Sequence, residues 1–218
     1  MNSLIQKKEF DTFLHLLDDN NLLKYVIVIG SWAEMVYFFG NVLRSPEYFP
    51  STKTLDVDFL IKNMRTPREP ISLIPLASSI GCSFESDYIS GVTKFYTPEN
   101  LEIEFLINQL GDGSLQSIKT NLGVTAQPLR HFDILLRNLI EVQYDGMPVL
   151  VPSPEAFVVH KLIIHHDRGK KKAKDAQAIV NLWPFLSQEK VRLIESTITK
   201  KERLRMQETL SSLELSIS

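Results

Sequence analysis

Two short segments of this chain alternate acidic and apolar residues, and that alternation restricts the fold more than any other feature. Asp56 and Asp58 alternate with apolar residues in the first segment, and Glu102 and Glu104 do so in the second. Residues two apart leave a strand on the same face, so each segment predicts a strand with one apolar and one acidic face. Half-exposed antiparallel strands show a similar alternation without any function. Acidic residues are poor strand formers, however, and the paired aspartates therefore favour a functional site.

The rest of the chain predicts helices packed against that sheet. Helices are expected over 3–19, 32–43 and 71–80. Strands are expected over 24–29, 54–61, 83–88, 91–97 and 101–107, and a hairpin with strands over 140–144 and 148–151. Turns are expected over 65–70 and a long loop over 108–127. Ser153, Pro154 and Glu155 are typical of a helix start, and helix is predicted from there to about residue 212. We therefore predict an α/β (α+β) fold, with a mixed sheet and flanking helices over 1–151 and a helical C-terminal region over 152–218.

Carboxylates gathered on one sheet face predict a metal site. Two aspartates two residues apart can converge on one or two divalent ions, and a parallel or antiparallel neighbour can add a third acid. Oxygen ligands of this kind suit Mg²⁺ or Mn²⁺ and do not suit zinc. Asp56, Asp58 and Glu104 are the predicted ligands, and the sequence leaves open whether Glu102 takes the place of Glu104.

A glycine-serine turn follows the first predicted strand and leads directly into a helix. Gly30 allows close approach of the backbone, the helix start offers free N–H groups, and Ser31 adds a hydroxyl. The same arrangement also describes a simple helix cap. Because an acidic strand follows, we interpret the turn as a phosphate-binding site.

Basic residues in the C-terminal region predict a surface that binds phosphate. Lys161, His165 and Arg168 are spaced to form one stripe of a helix. Arginine and lysine side chains bind triphosphates or nucleic-acid backbones well. Two lysines, Lys170 and Lys171, are interpreted as exposed residues of an interhelical turn.

Further along the same region, Lys174 is predicted to bind phosphate. Asp175 is expected to form a salt bridge with Lys161 or Lys174, or to serve in catalysis. A second basic cluster over 200–205 is interpreted mainly as a charged helix face, with RNA contact as the alternative.

Taken in order, these motifs resemble the DNA polymerase β-type nucleotidyltransferase superfamily. The matching residues are Val26–Ile29 with Gly30-Ser31, then Leu55-Asp56-Val57-Asp58-Phe59, then Ile103-Glu104-Phe105. The resemblance implies that Asp56 and Asp58 bind metal, that Glu104 is the third acid, and that Gly30 and Ser31 cradle the triphosphate. The 24 residues between Ser31 and Asp56 form a longer spacer than is usual in the superfamily.

The second half resembles the minimal bacterial nucleotidyltransferases that include toxins of toxin–antitoxin systems. The matching residues are Pro152-Ser153-Pro154-Glu155-Ala156-Phe157, His160-Lys161, Arg168 and Lys172-Ala173-Lys174-Asp175-Ala176-Gln177-Ala178. This resemblance implies a catalytic role for Lys161 and nucleotide-binding roles for Arg168, Lys174 and Asp175.

The predicted activity is Mg²⁺-dependent transfer of a nucleoside monophosphate from a nucleoside triphosphate such as ATP to an acceptor hydroxyl. The acceptor class stays open among RNA such as tRNA, a protein and a small molecule, and so does the oligomeric state. The main alternative is a catalytically silent module of the same fold that binds a nucleotide or a partner, for example in a toxin–antitoxin pair. A glycosyltransferase with an Asp-x-Asp motif is disfavoured, because about 55 residues before the motif are too few for its nucleotide-binding region.

The bulk properties of the chain fit an intracellular globular protein. Hydrophobic residues make up 44% of it and charged residues 23%, which is enough apolar material for a core and excludes extended disorder. Its apolar runs are too short to cross a bilayer, and the start lacks the pattern of a secretion signal. The single cysteine, Cys82, cannot form an internal disulfide and is expected in the core. We therefore predict a cytoplasmic protein that does not bind membranes.

Overall fold

The computed structural model describes residues 2–43, 45, 47–50, 55–62, 71–86, 91–109 and 116–217. The helices in these ranges are α1 (Asn2–Asp19), α2 (Gly30–Phe39), α3 (Leu73–Ser79), α4 (Asp133–Arg137), α5 (Pro154–Ile164), α6 (Lys172–Leu182), α7 (Gln188–Thr197) and α8 (Lys200–Ser212). The strands are β1 (Val26–Ile29), β2 (Asp56–Ile61), β3 (Ser83–Ser86), β4 (Thr93–Tyr96), β5 (Glu102–Asn108), β6 (Ile118–Lys119), β7 (Thr125–Leu129), β8 (Leu139–Tyr144) and β9 (Met147–Pro152). Helices and a mixed sheet confirm the predicted fold class.

The main sheet follows the order β1-β2-β5-β4-β3. Strand β2 runs parallel to β5 and antiparallel to β1. Antiparallel β4 pairs with the first half of β5, and parallel β7 pairs with its second half. Strand β5 therefore lies centrally, with β2 along one edge and β4 and β7 along the other.

The two faces of β2 and β5 differ, as the sequence alternation predicts. Val57, Phe59, Ile103 and Phe105 are fully buried on one face, where they form part of the large hydrophobic core. Helix α1 packs against this face through Phe13, whose ring centroid lies 5.8 Å from that of Phe59. Burial of these rings removes a large apolar area from water and fixes which face of each strand points outward.

The opposite face changes from acidic to apolar along the strands. Its acids lie at the starts of β2 and β5, whereas Leu60 and Leu106 follow on the same face nearer the strand ends. These two leucines join a smaller hydrophobic cluster with Phe132 and Leu135 at α4. The acids consequently lie at the border of a packed layer, where a cavity can form beside them.

The β8–β9 hairpin and the helix after it form as the sequence predicts. Asp145 and Gly146 both have positive φ angles, 49° and 79°, which a tight two-residue hairpin turn requires. Ser153 caps α5, because its hydroxyl oxygen accepts a hydrogen bond from the Ala156 amide at 3.2 Å. Helices α5 to α8 contribute to the large core, and the boundary proposed at residue 152 stays a prediction.

Two predicted elements differ from the structure. The segment predicted as a loop over 108–127 contains β6 and the start of β7, which pair with each other. The helix predicted to continue beyond 164 is interrupted there, because two 3₁₀ turns, His165–Asp167 and Gly169–Lys171, separate α5 from α6. Lys161, His165 and Arg168 thus do not form one helical stripe. The turns predicted over 65–70 lie outside the described residues.

No helix in the described ranges has both the length and the hydropathy to cross a bilayer. Cys82 is buried, as predicted, with 6% of its surface exposed.

Candidate active site

Asp58 lies at the centre of the candidate site because of its position in the sheet. It pairs with Ile29 at the end of β1 on one side and with Glu104 of β5 on the other. Asp56 pairs in the same way with Glu102. Neighbouring strands are about 4.8 Å apart, so the register places the acids of β2 and β5 side by side on one face.

Gly30 directly adjoins the Asp58 carboxylate. It follows the last residue of β1 and begins α2 with a φ of +64°. A β-carbon at this position would lie 2.6 Å from Oδ2 of Asp58, closer than real β-carbons approach another atom. Glycine is therefore required both for the backbone conformation and for the close approach of the acidic strand.

The surroundings of Asp58 disfavour its ionised form. Although the residue keeps some surface, protein atoms surround its carboxyl group, and this burial is the main reason that its pKa is raised to about 6. The neighbouring carboxylates Asp56 and Glu104 contribute to this rise, while Lys171 and Arg168 act in the opposite direction. A cation placed beside Asp58 would therefore stabilise its ionised form.

Glu104 contacts a lysine that the sequence analysis did not identify. Lys94 of β4 lies directly opposite Glu104 in the register. Its Nζ donates a hydrogen bond to Glu102 Oε1 at 2.7 Å and forms an ion pair with Glu104. Burial lowers the pKa of Lys94, but the two carboxylates together raise it above its ordinary value. Glu102 and Glu104 therefore share the ammonium group of Lys94.

Asp56 contacts Lys171, a residue that the sequence did not assign to the site. Lys171 was interpreted as an exposed residue of an interhelical turn. Its side chain is indeed 58% exposed, but its Nζ donates to Asp56 Oδ2 at 3.2 Å. The turn after α5 brings this lysine back to the start of β2, a contact that local sequence patterns do not predict.

Asp175 connects two of the predicted phosphate-binding residues. It is almost fully buried, and its two carboxylate oxygens accept from Lys161 Nζ at 2.6 Å and from Arg168 Nε at 2.8 Å. Burial raises the pKa of Asp175, but the two cations lower it by more, so the carboxyl stays ionised. Lys161 also lies 4.9 Å from the centre of the Phe157 ring. The predicted salt bridge is present, and it holds Lys161 and Arg168 in fixed positions.

A cavity of about 460 Å³ opens between the acidic edge of the sheet and the helical region. Gly30, Asp58, Glu104, Lys161 and Arg168 all line it, together with the newly identified Lys171. The cavity therefore brings together residues predicted from four separate stretches of the sequence.

The apolar part of the cavity contains a histidine that the sequence analysis treated only as part of a family pattern. His160 is 7% exposed, and burial lowers its pKa to about 3, so the ring is neutral. Its ring centroid lies 5.4 Å from that of Phe132. Within the described ranges, Nε2 of this histidine has no hydrogen-bond partner.

Some predicted residues do not line the cavity. Ser31 is buried in the first turn of α2. Lys174 is half-buried beside Asp56, Lys161 and Lys171: burial lowers its pKa and Asp56 opposes that change. In the basic cluster of α8, Arg205 forms an ion pair with Asp167 at 2.7 Å. This contact favours the interpretation of the cluster as a charged helix face.

The chemistry of the acids suits a hard divalent cation, since all three predicted ligands are carboxylates. As the side chains stand, no group of three or more His, Cys, Asp or Glu residues in the described ranges is arranged to hold a metal ion. Glu104 instead contacts Lys94, and Asp56 contacts Lys171. The donor types therefore fit Mg²⁺ or Mn²⁺, while two of the three donors are held by lysines.

Comparison with known proteins identifies a family and similar folds. The model of a protein family described as Nucleotidyltransferase matches residues 9–200. No significant match is found among curated proteins. The antibiotic-resistance factor ANT(2'')-Ia superposes with a TM-score of 0.50 at 14% identity, over 97% of this chain and 96% of that one.

Two further solved structures are similar at lower TM-scores. An antigenic nucleotidyltransferase-like protein from Paracoccidioides brasiliensis matches 99% of this chain and 91% of its own, at 16% identity and a TM-score of 0.49. The lincosamide antibiotic adenylyltransferase LnuA, bound to lincomycin, matches 82% of this chain and 97% of its own, at 15% identity and a TM-score of 0.47. At 14% identity, the likeness to ANT(2'')-Ia concerns the fold alone. Because the family model spans most of the sequence, the chain belongs to the nucleotidyltransferase family.

Proposed function

We propose that this protein transfers a nucleoside monophosphate from a nucleoside triphosphate to an acceptor hydroxyl and releases pyrophosphate. The observation that carries the proposal is the convergence of Gly30, Asp58 and Glu104 on one cavity, which cationic residues line from the opposite side. Family membership supports the same reaction class. The assignment to the minimal toxin-type group stays a prediction that rests on the sequence pattern over 152–178.

Phosphate groups would bind at the start of α2 and among the nearby cations. Gly30 has no side chain to obstruct a phosphate, and the first turn of the ten-residue helix α2 presents amide groups. Lys161 and Arg168, both held by Asp175, would contact the phosphates from the other wall of the cavity. Lys171 and Lys174 add positive charge close to Asp56.

Asp56, Asp58 and Glu104 would hold Mg²⁺ or Mn²⁺, which, when bound, neutralises triphosphate charge and lowers the pKa of an attacking hydroxyl. In the reaction the acceptor oxygen forms a bond to the α-phosphorus, and the bond from that phosphorus to the oxygen bridging to the β-phosphate breaks. The hydroxyl proton passes to a carboxylate, for which Glu104 is placed, and pyrophosphate leaves.

A second candidate is a silent module that binds nucleotide without transferring it. The contacts of Lys94 with Glu104 and of Lys171 with Asp56 favour it, because they neutralise two of the three acids. The two candidates predict the same binding of nucleoside triphosphate but different fates for the α-phosphate.

The test is incubation of the protein with each of the four nucleoside triphosphates, labelled at the α-phosphate, with Mg²⁺ and an extract fractionated into RNA, protein and small molecules. Transfer predicts label in one fraction, which also identifies the acceptor class. The double variant Asp56→Asn/Asp58→Asn should give no labelled product. Labelling that persists undiminished in this variant would refute the proposed site.

Calorimetry under the same conditions distinguishes the silent module from the enzyme. Triphosphate that binds without any labelled product in any fraction would support the silent module against the enzyme.

A further inference from the structure

The ammonium group of Lys94 lies against the carboxylate of Glu104, where a bound cation would also be expected. Strand β4 places it directly across from Glu104, and its ammonium contacts both that carboxylate and Glu102. The three side chains are partly buried, with exposed fractions of 26% for Lys94, 29% for Glu102 and 19% for Glu104. A charge pair in this setting is screened less by water than a pair on the open surface.

Lys94 contacts two acids of β5. Cross-strand ion pairs stabilise a sheet through two directly opposed residues, and Lys94 opposite Glu104 already forms such a pair. The additional bond at 2.7 Å to Glu102 fixes the ammonium between two acids, one of which faces the cavity. The lysine is thus placed to neutralise the acidic face of β5.

We propose that Lys94 is an internal counter-cation that competes with the divalent metal for Glu104, and so weakens metal binding when no nucleotide is present. Lys94 acts through Glu104 and is a positioning residue. This inference rests on the proposed function, since it concerns the same three carboxylates. Two cations that compete for one carboxylate must each lower the affinity of the other, because coupling between sites is reciprocal.

The test measures Mn²⁺ binding to the nucleotide-free protein by the loss of the free-ion signal in electron paramagnetic resonance. In Lys94→Met the competing ammonium is absent, and Mn²⁺ should bind about five- to tenfold more tightly, as expected when a partly buried ion pair no longer has to be broken. Lys94→Arg keeps a competing cation, so its affinity should stay within about twofold of wild type.

Two further variants control for charge and for the metal site. Lys62→Met removes the same charge from an exposed position just beyond the far end of β2 and should leave Mn²⁺ affinity unchanged. Asp58→Asn should weaken Mn²⁺ binding. Circular dichroism verifies folding of every variant, and Lys94→Gln replaces Lys94→Met if the latter does not fold.

The outcomes separate this inference from the proposed function. If wild type binds Mn²⁺, Asp58→Asn does not, and Lys94→Met binds no more tightly than wild type, the counter-cation role is wrong while the proposed metal site stands. If neither wild type nor Lys94→Met binds Mn²⁺, both proposals are overturned. Equal tightening in Lys94→Met and Lys62→Met would also overturn the role, because it would show a general charge effect.

Discussion

Gly30 and Asp58 are so close that a β-carbon on the glycine would lie 2.6 Å from Oδ2 of the aspartate. The contact joins the strand-to-helix turn to the acidic strand β2, in which Asp58 lies 28 positions after Gly30. It makes the proposed phosphate-binding turn and the carboxylates parts of one site.

Gly30→Ala should therefore impair both stability and activity. The positive φ alone costs about 1–2 kcal/mol for a residue with a side chain, and the new methyl group would displace the Asp58 carboxylate. We expect urea unfolding to show that loss and nucleotide transfer to fall on the order of a hundredfold.

The matched control for this prediction is Gly146→Ala. Gly146 also has a positive φ, 79°, but a β-carbon there would meet nothing within 4 Å. The control should lose only the stability that the positive φ costs and should keep its transfer activity. Equal activity of the two alanine variants would show that the Gly30–Asp58 contact has no functional role.

Asp58 should destabilise the metal-free protein at neutral pH. Its folded pKa of about 6 exceeds the unfolded value of 3.8, so between these values the folded state binds more protons than the unfolded state, and stability falls as pH rises. Asp58→Asn removes this cost. With metal removed by chelation, the variant should be more stable than wild type by about 1–3 kcal/mol at pH 8, since one pKa unit corresponds to about 1.4 kcal/mol.

The pH dependence distinguishes this effect from a general change in packing. At pH 4 wild-type Asp58 is largely protonated, so the stability difference should nearly vanish. The control is Glu99→Gln, an exposed acid in the turn before β5, which should show no such gain. A variant less stable than wild type at pH 8, or a gain of equal size at pH 4, contradicts the account.

Lys171 should contribute to triphosphate binding although its side chain is mostly exposed. Lys171→Met should change the free energy of unfolding by less than about 0.5 kcal/mol. In the absence of divalent metal it should weaken triphosphate binding about three- to tenfold at low salt, with the difference shrinking as salt is added.

Calorimetric titration at two salt concentrations checks this prediction against Lys170→Met, a change of the neighbouring exposed lysine. If both variants lose the same affinity, the Lys171–Asp56 contact has no particular role and the turn contributes only its net charge.

The stability of the protein should fall when one member of the buried Lys161–Asp175 ion pair is removed and the other is left. Asp175→Ala would leave the Lys161 ammonium buried without its partner and should cost about 3–5 kcal/mol. Lys161→Met/Asp175→Leu, which removes both charges, should cost less. Denaturant unfolding of the three proteins tests this, and a double variant less stable than Asp175→Ala would contradict it.

Local sequence patterns predicted the parts of the fold that local physics determines. Alternation with a period of two predicted β2 and β5, and the turn residues Asp145 and Gly146 predicted the β8–β9 hairpin. The acids and the glycine of the site could be predicted for the same reason, because Asp56, Asp58, Glu104 and Gly30 each lie in a recognisable strand or turn.

The contacts that the sequence did not predict are long-range. Lys94 reaches Glu104 only because of the β4–β5 register, and Thr93-Lys94-Phe95 is an ordinary alternating strand. No proline marks the break after Ile164. Arg168 and Lys171 follow this break and contact Asp175 and Asp56, respectively. Such register and tertiary pairings are not encoded in a local period.

The short strands β6 and β7 were missed for a different reason. They are only two and five residues long, and β7 contains Pro128. Glycine, serine, threonine and asparagine residues made 108–127 appear to be a loop, whereas pairing with the second half of β5 holds β7 in the sheet.

The most direct measurement of the central claim is the rate at which label passes from an α-labelled nucleoside triphosphate to the identified acceptor, with Mg²⁺, for wild type, Asp58→Asn and Glu99→Gln. The account predicts wild-type rates for Glu99→Gln and a loss on the order of a hundredfold or more for Asp58→Asn, with the label recovered on the acceptor and pyrophosphate released in equal amount. An Asp58→Asn protein that transfers label at the wild-type rate would contradict it.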